Sequence, residues 1–211
     1  LRNPLATMQM RIDALSDGLV TFNEDEAKLL QGQVGLLARL IDDLRVLSLA
    51  DAGRLSLNLI EVELNELTAN VVRNMETRAR AVNVGLEFTS SDESMFVNAD
   101  PDRLAQVLNN LLDNALRVTP ENGKIMVRLE ASSREAKLTV RDTGPGISEE
   151  DLPTIFERFV QGKRRDTQSK MGSGLGLAIV KTIVNLHQGQ VKASNYRGGA
   201  QFEVTLPRSK I

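Results

Sequence analysis

The chain contains no cysteine and no tryptophan, and only one tyrosine and one histidine. Without cysteine there is neither a disulfide framework nor thiolate chemistry. A reducing compartment is compatible with that usage. One histidine cannot build a multi-histidine metal centre, and a Ser/His/Asp triad would have to use that same residue. An excess of one charge is also missing: 26 basic against 28 acidic residues leave a formal net charge of −2. That balance provides no electrostatic footprint for nucleic acid or an anionic membrane surface. No apolar run approaches the roughly 20 residues that span a bilayer, and no signal peptide opens the chain. The 211 residues are therefore expected to stay out of the membrane. Because Leu1 already lies in a helical pattern, the chain is expected to be part of a longer protein.

Hydrophobic residues make up 41% of the chain, enough for a proper core. Leu1, Leu5, Met8, Ile12, Leu15 and Leu19 recur at alternating intervals of four and three. So do Ala27, Leu30, Val34, Leu37, Ile41 and Leu44. Two heptad stripes predict two helices packed along a narrow seam. Between them, Asn23 reads as an N-cap and Glu26 as the return arm of a capping box. An antiparallel hairpin cannot bury both faces by itself, so residues 1–53 are expected to form half of a dimeric four-helix bundle. Gly53 reads as the C-cap, and residues 54–63 read as an extended linker. From residue 64 to 211 helical and alternating segments mix, which predicts an α+β sandwich with one mixed sheet and helices on one face. In that domain Asp100 and Pro101 open a helix that runs to Arg117. Lys124–Ala131 and Glu135–Asp142 alternate as paired strands do.

Three separated segments carry candidate chemistry. Gln106, Asn110 and Asn114 recur every fourth residue along one helix face, with Arg117 three further on. Leu104, Val107, Leu108, Leu111, Leu112 and Ala115 supply its apolar side. Neutral amides beside a core face suit Mg²⁺, which takes few ligands from protein when phosphates supply the rest, and Arg117 suits a phosphate. The bland alternative is an amphipathic helix with a polar outer face. Next, Asp142 ends a strand ahead of Gly144 and Gly146, whose bare backbones allow close approach to a flat ligand. A carboxylate there can accept from an exocyclic amine such as that of adenine; the alternative is an ordinary strand-ending turn. Last, Gly172, Gly174, Leu175 and Gly176 run into a helix expected from about residue 173. Amides at a helix start favour anions; the alternative is a glycine-rich turn. The segment is neither a Walker loop nor a dinucleotide fingerprint.

Together and in this order, the segments resemble the nucleotide-binding motifs of Bergerat-fold ATPases, specifically those of sensor histidine kinases. Asn110 and Asn114 resemble the N box of that family. Asp142–Gly146 and Gly172–Leu177 resemble its two glycine boxes, and Phe156–Phe159 its phenylalanine box. Leu1–Leu5 resembles the tail of the H box. The resemblance implies ATP and Mg²⁺ as cofactors, with Asn114 on the metal. It further implies a homodimer through the hairpin and a response-regulator receiver domain as partner. The activity implied is phosphoryl transfer to a histidine and then to an aspartate of the regulator. It also implies a cytoplasmic location for this portion, within a full-length protein that a membrane can anchor. Residues 147–171 resemble the ATP lid, with Lys163, Arg164, Arg165 and Lys170 in it. Arg158, beside Phe156 and Phe159 read as anchors, is the preferred phosphate contact. Asn3 matches the position that places the water for dephosphorylating the regulator. Two departures stand out. The acceptor histidine of the H box would precede Leu1, so this chain is expected to bind ATP without phosphorylating itself. Val118 stands where an aromatic is common. His187 is expected to be structural, at the turn from a helix into a strand. Two rival readings are a Bergerat-fold hydrolase, whose general-base glutamate is Asn110 here, and a non-catalytic dimeric scaffold that docks a response regulator.

Overall fold

The two heptad stripes become two helices, α1 (Arg2–Ser16) and α2 (Glu24–Asp51). In the computed structural model, residues 2–91, 93–132, 134–160 and 173–209 are described, with side chains from residue 5 onward. Asn23 caps α2 as expected, its side chain accepting from the Glu26 N–H at 2.9 Å. Glu26 has a different task from the return arm of a capping box. Its side chain is buried, and both carboxylate oxygens accept from Arg11 Nη1 at 2.7 Å. This ion pair joins α1 to α2. The C-terminus of α2 closes in a Schellman motif: Gly53 takes φ +63°, its N–H reaches the Ala50 carbonyl, and the Arg54 N–H reaches Leu49. The hairpin divides its seam. Met8, Leu15, Leu30, Leu37 and Leu44 are half-buried, whereas Leu5, Ile12, Leu19, Val34 and Ile41 lie exposed.

Residues 1–54 form one compact unit and residues 55–211 a second. Within the segment read as a linker, Ile60–Glu63 forms strand β1, paired antiparallel with β3 (Phe96–Ala99) as a small sheet of its own. Helix α3 (Leu64–Ala81) and strand β2 (Gly85–Ser90) precede β3. Helix α4 (Pro101–Val118) then leads to β4 (Lys124–Ala131) and β5 (Glu135–Asp142). Helix α5 (Gly176–Leu186), β6 (Gln190–Tyr196) and β7 (Gly199–Pro207) complete the unit. The main sheet has five strands in the order β2-β4-β5-β7-β6. Only β2 and β4 run parallel, so the sheet is mixed, as the alternating patterns predict.

One face of that sheet carries Ile125, Val127, Leu129, Val140, Phe202 and Val204, all buried, and polar residues alternate onto the other. The helices cover the apolar face. Helix α4 buries the six apolar residues that its periodicity assigns to the core, Leu104 through Ala115. At its N-terminus, Asp100 Oδ1 accepts from the Arg103 N–H, and Asp100 Oδ2 accepts from the Asn58 N–H.

Candidate functional site

The polar edge of α4 carries Asn110, Asn114 and Arg117. Asn114 Oδ1 accepts from Arg117 Nη2 at 2.5 Å. A carbonyl oxygen has two lone pairs, so this bond leaves room for a cation on the same atom. Partial burial lowers the Arg117 guanidinium from its ordinary value, and Asp113 opposes the shift. Arginine remains protonated in proteins, so Arg117 is a fixed positive charge on this edge. The Asn110 side-chain amide Nδ2 is buried and, among the described residues, has no acceptor. A buried donor without a partner costs about 1–3 kcal/mol; a ligand oxygen would relieve that cost.

The start of α5 comes up against this edge. A Cβ built on Gly176 would lie 3.7 Å from Asn110 Oδ1. The first amides of α5, those of Gly176, Leu177 and Ala178, have no intrahelical acceptor, as at any helix start. The helix begins at Gly176 rather than near residue 173. Gly174 adopts φ +70°, outside the helical region, and the Leu175 N–H is taken by Ser173 Oγ at 3.1 Å. Leu175 itself is buried beneath the helix start. Gly172 lies outside the described residues, as do Lys163, Arg164, Arg165 and Lys170.

Asp142 closes the third side. Its side chain is only 3% exposed. Oδ1 accepts from the Gly144 N–H at 2.9 Å and the Ala200 N–H at 3.2 Å. Burial pushes the Asp142 carboxyl above its ordinary value, and these two N–H bonds pull it back in part. Among the described residues Oδ2 has no donor, so it is left to a ligand. Gly144 packs where nothing larger fits, since a Cβ there would lie 2.8 Å from the Val118 carbonyl at the end of α4. Gly146 takes φ +73°. An orphan amide, a guanidinium, helix-start amides without an intrahelical acceptor and a carboxylate with one oxygen unengaged among the described residues thus converge, fitting a ligand with phosphates at one end and an N–H donor at the other.

The segment after Gly146 is folded as hydrogen-bonded turns. Phe156 anchors it, packing edge-on to the core residue Phe202 with ring centroids 6.3 Å apart. Phe159, read as a second anchor, is 67% exposed. Its backbone instead does the fixing: the Phe159 N–H donates to the Gly174 carbonyl at 2.8 Å. Arg158 therefore stands beside one anchoring phenylalanine, not two, with its side chain at the surface.

A family model described as histidine kinase-, DNA gyrase B- and HSP90-like ATPase matches residues 99–210. The chain is 36% identical over 208 residues to the signal transduction histidine-protein kinase BaeS of Escherichia coli strain K12, covering 98% of this chain and 44% of BaeS. The histidine kinase AdeS of Acinetobacter baumannii superposes with a TM-score of 0.83 at 29% identity, over 99% of this chain and 97% of that one. The histidine kinase ThkA, solved in complex with the response regulator protein TrrA, gives 0.75 at 28% identity, over 99% and 58%. The chain belongs to the sensor histidine kinases, as their catalytic portion. It spans about half or less of the length of the curated relatives it matches. Membership implies ATP binding by residues 99–210, the stretch that holds all three converging motifs of the kinase.

Periodicity misses two features of the candidate site. Asn195 on β6 bonds both backbone groups of Ile147, and Gly199 leaves room for Asp142, whose carbonyl would lie 1.8 Å from a Cβ there. Both are pairings of distant residues, and neither type of residue repeats at a helical or strand interval. His187 has the structural place expected of it. It is buried at the C-cap of α5, with Nδ1 donating to the Ile183 carbonyl at 2.8 Å and Nε2 accepting from the Asp100 N–H at 3.0 Å. Asn3 lies in the first turn of α1. No helix among the described residues is long and apolar enough to cross a membrane.

Proposed function

We propose that this chain binds Mg-ATP between α4, α5 and the Asp142 turn, and positions its γ-phosphate for transfer to a histidine and then to an aspartate of a response-regulator receiver domain. The observation that carries the reading is Asp142, a buried strand-end carboxylate with one oxygen held by two backbone N–H groups and the other available. That oxygen accepts the exocyclic amine of adenine. Asn110 Nδ2, Arg117 and the amides of Gly174 and of Gly176 to Ala178 take the phosphates, joined by Gly172 and Arg158 where the family motif places them, while the Leu175 N–H stays with Ser173 Oγ. Asn114 would supply the protein oxygen for Mg²⁺, and the ion would neutralise phosphate charge. Phosphoryl transfer depends chiefly on such positioning and neutralisation.

The hairpin provides a homodimer, and this portion works in the cytoplasm. This chain does not phosphorylate itself, because His187 is buried with both ring nitrogens bonded. Asn3 serves, on the family pattern, to place water for dephosphorylation of the regulator. A hydrolase is disfavoured because Asn110, an amide, cannot take a proton from water.

The test is a calorimetric titration with a non-hydrolysable ATP analogue and Mg²⁺, comparing the parent with Asp142→Ala. Micromolar binding by the parent is expected, weakened about 10- to 100-fold in the variant, the cost of a hydrogen bond to a charged group. A well-folded parent that binds nothing would overturn the ATP reading in favour of a scaffold. Acid-labile phosphate on the chain after incubation with ATP would refute the claim that it does not phosphorylate itself.

A further inference from the structure

We infer that Asn195 is a positioning residue for nucleotide binding: from β6 it holds the turn that follows Asp142 in its ligand-ready shape. The inference rests on the ATP reading of the Asp142 site. Asn195 Oδ1 accepts from the Ile147 N–H at 2.8 Å, and Asn195 Nδ2 donates to the Ile147 carbonyl at 2.7 Å. One side-chain amide thus satisfies both backbone groups of a residue 48 positions away, as a strand partner would. The contact belongs to a larger grip. The β6–β7 hairpin turns through Arg197 and Gly198, both at positive φ, and pairs Tyr196 with Gly199. Its end lies directly on residues 142–147. A Cβ on Gly146 would meet Asn195 Oδ1 at 2.8 Å and the Gly198 carbonyl at 2.9 Å. Ala200, just past the turn, donates its N–H to Asp142 Oδ1. The hairpin therefore holds the segment at both ends, at the Asp142 carboxylate and at the Ile147 backbone. The Arg141 guanidinium stacks over the Tyr196 ring at 4.1 Å, which steadies the hairpin end in turn.

The segment needs such a hold. Two of its residues are Gly144 and Gly146, and glycine loses more backbone freedom on ordering than any other residue. If the turn were loose, ordering it would be charged against ligand affinity. Asn195 is exposed, so its two bonds add little to the core, and their main consequence is local order.

Parent, Asn195→Ala and Asn195→Asp are titrated with adenosine and, separately, with the Mg²⁺ complex of a non-hydrolysable ATP analogue. Melting temperatures and the hydrogen exchange of the Ile147 amide are measured in parallel. Asn195→Ala is expected to weaken both ligands by a similar factor, on the order of tenfold, about 1.4 kcal/mol. Its Ile147 amide should exchange faster while the melting temperature stays close to that of the parent. Asn195→Asp keeps the acceptor for the Ile147 N–H, so it should restore amide protection and part of the adenosine affinity. A pin that orders the adenine side must affect adenosine; a loss confined to the triphosphate would overturn the inference. So would parental affinity in Asn195→Ala, or a loss that follows a collapse in melting temperature. A parent that binds neither ligand sinks the ATP reading itself, a result distinct from all of these.

Discussion

The fold treats the two oxygens of Asp142 differently. Oδ1 is held by the N–H groups of Gly144 and Ala200, and Oδ2 is left for a ligand donor. Burial raises the carboxyl above its ordinary value, and this has opposite consequences for stability and for binding. Between the ordinary value and the raised one, the folded chain keeps a proton that the unfolded chain has released. Raising the pH through that window therefore lowers stability. Nucleotide affinity should move the other way, because the adenine amine needs the ionised acceptor. Asp142→Asn retains an oxygen for Gly144 and Ala200 but puts a second donor in front of the adenine amine. It should melt at a slightly higher temperature than the parent at neutral pH, lose this part of the pH dependence, and bind ATP at least tenfold more weakly, the lower end of a lost hydrogen bond to a charged group. Melting curves and titrations at several pH values check both halves. A variant less stable than the parent at pH 7 would mean that the two N–H bonds, not burial, dominate this site.

At the scale of elements, local signals and distant pairings part company. The boundaries of α4, β4 and β5, the Asn23 cap and the six buried residues of α4 follow from periodicity and capping chemistry within one segment. The amide stripe of Asn110 and Asn114 was legible for the same reason. Glu26 shows where that reasoning stops. Its spacing from Asn23 fits a capping box, yet its carboxylate belongs to Arg11, fifteen residues back on the other helix. The exposed Phe159, the β1–β3 pair and the Asn195 pin are of the same kind, set by three-dimensional neighbours that no interval in the sequence marks. The Arg11–Glu26 pair makes a quantitative prediction. Arg11→Ala leaves a buried carboxylate without its partner and should cost about 1–3 kcal/mol, below the range for a fully buried pair because Arg11 is itself part-exposed. Adding Glu26→Ala should recover some of that loss, and the double-mutant cycle in urea denaturation measures the coupling. Losses that simply add would show that the pair sets no register between α1 and α2.

The whole molecule poses a question that the single chain leaves open: what covers the outer half of the hairpin seam? Val34 and Ile41 are 55% and 59% exposed, and Leu5 and Ile12 share their side of the heptad. Scattered surface leucines need no explanation, but these recur at intervals of seven along both helices. A second hairpin meeting the same stripe would bury eight such side chains across two chains. Each is already about half covered, so at about 1 kcal/mol apiece that is about 8 kcal/mol, of the order of an association cost of about 4–15 kcal/mol. Four would give about 4 kcal/mol, at the bottom of that range. The 23.2 kDa chain should therefore run as a dimer in light scattering at micromolar concentration. The pair Val34→Glu and Ile41→Glu removes half the stripe and places like charges against each other, so it should give a monomer. Residues 55–211 form their own compact unit with every converging motif inside it. Mg-ATP affinity in that monomer should therefore stay within about twofold of the parent, a change of about 0.4 kcal/mol. A parent that scatters as a monomer would leave the seam without a self-complementary role. A monomeric variant that loses nucleotide binding would mean that the site depends on the assembled hairpin, against the independence that the two units suggest.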